Sequence, residues 1–165
     1  MLPIVLSQES ARVGLAGVGE GRLRREVLLT EAGLAPLPVE NEAQLAGIQV
    51  LFIAGHDPER SDALAQEARR MGILVNVEDL PDFCDFHVPA IVRRGDLVLT
   101  VSTGGRAPGL ARRLREWLEE RFGPEWSARM EEIGTTRANL RAQGLPAHEV
   151  SERSRALIAE KGWLQ

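Results

Sequence analysis

Three groups of residues in this 165-residue chain have types and spacings that could carry chemistry. The first is Gly17-Val18-Gly19-Glu20-Gly21, which follows the short apolar run ARVGLA (11–16) and opens a segment with helical spacing. A strand that enters such a turn and leaves it as a helix aims backbone N–H groups and a positive helix end at one point, a geometry suited to a dinucleotide pyrophosphate. Glu40 follows about 20 residues on, with Asn41 beside it, where an acid hydrogen-bonds an adenosine ribose and disfavours a 2′-phosphate. Ala54 and His56, at the end of the run IQVLFIA and just after it, complete the cofactor-side set. Arg22 occupies the third small-residue position of the dinucleotide fingerprint, so a glycine-rich turn that binds nothing is the competing reading.

The second group, Asn76, Asp79 and Pro81, lies at and just after another apolar run. The third, Ser102-Thr103-Gly104-Gly105-Arg106-Ala107-Pro108, joins the run LVLTV to a helix-patterned segment. Glycines let a ligand reach the backbone, while the hydroxyls and the following helix start can receive anionic groups. A helix-capping turn at 102–105 and a capping role for Asp79 are the alternatives. The three histidines, 56, 87 and 148, are dispersed, and Cys84 is the single cysteine, so neither a disulfide nor a resident metal site is expected.

Composition bounds what these groups can serve. With 20 basic and 24 acidic residues the formal charge is −4, which argues against a general nucleic-acid binder. Seven arginines against four acids between Arg93 and Arg121 nevertheless leave a local positive excess. No apolar run approaches the ~20 residues of a membrane span, and MLPIVLSQES has no charged leader; a cytoplasmic protein without membrane contact is the expectation. The elements that must hold the groups alternate over the first 122 residues. Strands are expected at 11–16, 37–39, 48–54, 73–77 and 97–101, and helices at 20–32, about 58–70 and 108–122. In the first helix Leu23, Val27, Leu28 and Ala32 form the apolar stripe. Such alternation argues an α/β fold, a Rossmann-like parallel sheet. Two helices without strand signal follow, at 126–143 and 148–161, giving a boundary at 122/123 between a cofactor- and substrate-binding domain (1–122) and a C-terminal helical region (123–165).

The stretch VNVEDLPDFCDFHVPAIVRRGDLVLTVSTGGRAPGLARRLRE closely resembles the dehydrogenase and ferrochelatase module of siroheme synthase, the precorrin-2 dehydrogenase family. In that family VNVVDDP, PAIV and STGG-x-AP-x-LAR-x-LRE recur at this spacing. LPI at 2–4 is similar to the family's opening, and GVGEGRLRREVLLTEAG takes the place of GGGEVALRK-x-x-LLEAG. The segment between Glu40 and Ile48 is shorter than the family's. The resemblance implies NAD-dependent oxidation of precorrin-2 to sirohydrochlorin, with Fe²⁺ insertion in some members, by a homodimer formed through the C-terminal helices. It implies that Asp79 is the essential acid and accepts a proton. Asn76, Ser102, Thr103, Gly104, Gly105 and Arg106 would meet the tetrapyrrole, with Arg112 and Arg113 as further partners for its carboxylates. A chelatase alone, or a non-catalytic tetrapyrrole- or nucleotide-binding protein, is the alternative. A separate methyltransferase would supply the substrate.

Overall fold

The computed structural model describes residues 2–7 and 9–164, and the chain divides into two compact units, Met1–Val88 and Pro89–Gln165. The first is an α/β layer structure. Its strands β1 (Val13–Gly17), β2 (Leu37–Val39), β3 (Val50–Ala54) and β4 (Leu74–Val77) form one parallel sheet in the order β2-β1-β3-β4. Helix α1 (Gly19–Glu31) links β1 to β2, and α2 (Pro58–Arg70) links β3 to β4.

Strand alternation assigns each residue to a face. Val13, Leu15, Val50 and Phe52 pack with Leu29 of α1, whereas Ala16, Leu51, Ile53, Val75 and Val77 pack with Leu64, Ala65 and Ala68 of α2. Both faces of the sheet are covered, which explains the continuous apolar runs in its strands. Asp57 caps α2 by accepting from the Arg60 amide at 2.9 Å, and Pro58 sits in its first turn. The stripe read from the sequence of α1 is corrected here. Leu23 and Val27 are exposed, and the buried residues are Gly21 and Leu29. Arg25 is turned inward in their place, its guanidinium 6.0 Å from the Phe52 ring centre.

The second unit opens with β5 (Ala90–Arg94) and β6 (Leu97–Val101), an antiparallel pair of its own. The expectation that 97–101 continues the parallel sheet is therefore corrected. Only Gly95-Asp96 separates the two strands, Gly95 has φ +58°, and a two-residue turn permits no parallel crossover. Helix α3 (Pro108–Arg121) follows, then α4 (Trp126–Ala142) and α5 (Ala147–Glu160). The last two run antiparallel, tied by Arg137 to Ser154 at 3.3 Å and by Lys161 to Glu132 at 2.8 Å. The break between the compact units precedes β5, whereas the change of sequence pattern at 122/123 coincides with the end of α3 inside the second unit. No helix among the described residues is long and apolar enough to cross a membrane.

Candidate functional site

Parallel pairing brings the carboxyl ends of all four strands of the first unit to one edge. Val39 is level with Ala16, Gly17 with Ala54, and Ile53 with Val77. Glu40, the glycine turn, His56 and Asp79 each lie one or two residues beyond these ends, so residues spread over 17–79 share that edge.

The glycine turn is built by backbone approach. A Cβ on Gly17 (φ +149°) would run into the Ala54 carbonyl oxygen, and one on Gly55 (φ +75°) into that of Val18. Val18 N–H donates to the Ala54 carbonyl at 3.1 Å, which locks β1 to β3 as the chain turns. At Gly21 a Cβ would meet the Glu78 carboxylate and approach the Gly55 amide. The close approach expected of the fingerprint's third small residue is thus made by Gly21, while Arg22 pairs with Glu26 at 2.9 Å. Gly19 differs from all of these. Its φ is +62° and no atom lies within 4 Å of a Cβ built there. Val18 offers no side-chain cap to α1, so the first-turn N–H groups face an open approach at Gly19.

The charges around the turn are arranged in pairs. Glu78, its side chain 12% exposed, meets Arg24 at 3.3 Å and Arg25 at 3.7 Å. Sequence reading missed this acid, whose only signal is its place beside Asp79 after an apolar strand. Glu40 is exposed, its N–H donating to Gln44 Oε1 at 2.6 Å and its carbonyl accepting from Arg60 at 3.3 Å. Asn41 caps the short 3-10 turn Glu42–Leu45 through its side chain, a structural task distinct from the cofactor contact expected of it. Ala54 is buried and acts through its carbonyl, and His56 is half-buried in the bend before α2.

Asp79 is the non-glycine residue with positive φ (+59°) among the described residues, and its exposed carboxylate has no ion-pair partner among them. Asn76 is only 4% exposed, and its Nδ2 donates to the Phe86 carbonyl at 2.9 Å. The expected substrate contact of Asn76 does not fit that burial; its amide faces the protein.

In the second unit, the Ser102 hydroxyl accepts from Gly104 N–H at 3.3 Å and Thr103 Oγ1 accepts from Ala107 N–H at 3.3 Å. Gly104 and Gly105 have φ +63° and +77°, and a Cβ at Gly105 would stand in open space. The hydroxyls thus brace a loop whose backbone stays accessible. Arg106 is exposed and pairs with no acid among the described residues. Arg112 and Arg113 instead reach Glu116 at 3.2 and 3.4 Å, and their hydrogen bonds hold its carboxyl below the ordinary value. Among the described residues no cluster of three or more His, Cys, Asp or Glu is placed to hold a metal ion.

Comparison with known proteins bears on both units. Residues 4–90 match a family described as "Putative NAD(P)-binding". A siroheme synthase of Methylococcus capsulatus is 35% identical over 149 residues, covering 74% of this chain and 31% of that protein. That of Stutzerimonas stutzeri is 36% identical, covering 74% and 32%. The chain thus spans about a third of the length of these curated relatives. The solved structure of SirC, a precorrin-2 dehydrogenase, superposes with a TM-score of 0.76 at 18% identity, covering 100% of this chain and 93% of that one, so the Rossmann-like fold is shared.

Proposed function

The chain belongs to this NAD(P)-binding family, and on that premise we propose that it is an NAD-dependent precorrin-2 dehydrogenase that forms sirohydrochlorin in siroheme biosynthesis. The observation that carries the reading is an exposed, unpaired Asp79 on the strand-end edge that also holds the open glycine turn. The similarity to siroheme synthases and to a precorrin-2 dehydrogenase supports the substrate.

The oxidation removes one hydride and one proton from precorrin-2, and bound NAD⁺ supplies the hydride acceptor. This chain's residues do the rest. Gly19 and the uncapped N–H groups of α1 fit a pyrophosphate, and the exposed Glu40 carboxylate fits the ribose hydroxyls and repels a 2′-phosphate. Gly17, Glu20 and Gly21 belong to that turn, Ala54 meets it through its carbonyl, and His56 lies two residues beyond Ala54. Asp79 takes the proton and passes it to solvent. Ser102, Thr103, Gly104 and Gly105 offer an open loop to the tetrapyrrole, and Arg106 an unpaired guanidinium to its carboxylates.

Fe²⁺ insertion into sirohydrochlorin is a separable activity of the same reading, because a macrocycle that takes up the metal must lose two pyrrole protons, and the exposed Asp79 can receive them one after the other and pass each to solvent. We place the protein in the cytoplasm as a homodimer. Its support is the exposed apolar face of Leu110, Leu114 and Trp117 on α3, together with the helices after it.

Calorimetry with NAD⁺ and NADP⁺, followed by turnover of precorrin-2, tests the reading. NAD⁺ should bind more tightly than NADP⁺, and Asp79→Ala should abolish turnover while leaving NAD⁺ binding and the melting temperature intact. No NAD⁺ binding at millimolar cofactor, with iron insertion retained, would leave a chelatase. Ligand binding without either reaction would leave a carrier.

A further inference from the structure

Strand β4 is the last of its sheet, and among the described residues the loop that follows it, rather than a fifth strand, satisfies its outer edge. Its even-numbered residues turn toward β3, with Leu74 N–H bonded to Gln49 and Glu78 N–H to Ile53. The odd-numbered residues face outward. Val75 exchanges hydrogen bonds with Asp85, its N–H donating to Oδ2 at 2.9 Å and its carbonyl accepting from the Asp85 amide at 2.8 Å. Val77 N–H donates to Cys84 Sγ at 3.2 Å, and the same sulfur lies 3.2 Å from the Val77 carbonyl and 3.4 Å from that of Leu80. The thiol therefore spans the turn that contains Asp79. Asn76 Nδ2 reaches this sulfur at 3.6 Å and the Phe86 carbonyl at 2.9 Å, fastening the returning loop from behind.

The buried half of Asn76 indicates what its amide is for. Its Oδ1 is buried without a partner, and a half-satisfied amide costs stability that an apolar side chain of similar volume would not. The donor half is the part in use, and its acceptors, Cys84 Sγ and the Phe86 carbonyl, both belong to the loop that follows Asp79 and returns along β4. A non-glycine residue at φ +59° is uncommon, although aspartate adopts it more readily than most, and the sulfur contacts at both ends of residues 77–80 help hold it there.

We propose that Asn76 is a positioning residue rather than a substrate contact: with Cys84 it brackets residues 77–80 and fixes the left-handed backbone from which Asp79 acts. The proposal rests on the role given to Asp79 above.

The test uses the full chain with Asn76→Leu, which keeps the branched outline, and Cys84→Val, which adds one methyl group, both removing the polar contacts, and Cys84→Ser, which keeps them. Expected are a fall in kcat of about tenfold or more for the first two with KM changed less than twofold, recovery of most of the rate in Cys84→Ser, and melting temperatures near that of the parent. Native-state hydrogen exchange at the Val77 amide should accelerate in Cys84→Val and stay slow in Cys84→Ser. Wild-type turnover in both apolar variants would overturn the proposal. So would a raised KM with unchanged kcat in Asn76→Leu, which is the signature of a direct substrate contact. If the parent itself oxidises no precorrin-2, the reading of the function fails, and the Val77 amide still decides the bracket: unchanged exchange in Cys84→Val rejects it and faster exchange supports it.

Discussion

Two glycines of one turn have opposite jobs, and substitution separates them. Gly17 is structural, since an added Cβ collides with the Ala54 carbonyl and the φ of +149° suits no other residue. Gly17→Ala should cost about 3 kcal/mol, strain and overpacking together, and lower the melting temperature. Gly19 has open space above it, so Gly19→Ala carries only the left-handed backbone cost of about 1–2 kcal/mol. Its methyl would stand in the approach to the α1 N–H groups. A folded Gly19→Ala protein with NAD⁺ affinity reduced at least about tenfold is expected, read by calorimetry and thermal melting. Unchanged affinity would move the pyrophosphate away from this turn. Asp79 shows the same division on one residue, its backbone held by neighbours and its carboxylate left unpaired.

At the scale of elements, ion pairs tie short pieces to long ones. Arg60 at the start of α2 bonds Glu42 at 2.7 Å and so fastens the 3-10 turn after Glu40. The Glu42 carboxyl is held below its ordinary value, first by its own backbone amide and then by Arg60. A depressed acid stabilises the fold above its unfolded-state pKa, and the contribution disappears as pH falls through the folded value. Acidification through the carboxylate range should therefore loosen this turn while pH 7 leaves it intact. Arg60→Ala should raise the Glu42 titration midpoint toward the ordinary value in a side-chain NMR titration. Lys161 has the opposite sign: Glu132 raises its pKa, so the tie between α4 and α5 is present at neutral pH and is lost as pH climbs through the raised value.

For the molecule as a whole, α3 has no buried residue and exposes Leu110, Leu114 and Trp117, the last 51% exposed. Their i, i+4, i+7 spacing makes one stripe, and an apolar stripe in water favours a covering partner. Sedimentation of the full chain should show a species of about twice 18.1 kDa, and Leu114→Glu should shift it toward the single chain. A parent that sediments only at 18.1 kDa would refute the dimer.

The sequence alone determined the kinds and limits of most elements, because apolar runs, glycine turns and helix-start prolines act within a few residues of themselves. It placed β1 to β4, α2 and α3 within one or two residues at most ends. It also brought forward the glycine turn, through glycines after an apolar strand, and Asp79, through the family resemblance, and the fold puts both at strand ends. Pairing was decided by tertiary structure. The run LVLTV reads as a buried strand of either orientation, and the short Gly95-Asp96 connection to β5 made it antiparallel. The facing of α1 was decided the same way: Leu23 and Val27 carry the apolar pattern, yet the helix must set Gly21 against Gly55, and that one close approach turns them outward. The family resemblance made Asn76 a ligand contact, and only the loop running back along β4 revealed its amide as internal. Local chemistry is written in adjacent residues, whereas burial and partner choice depend on segments that meet only when the chain has folded.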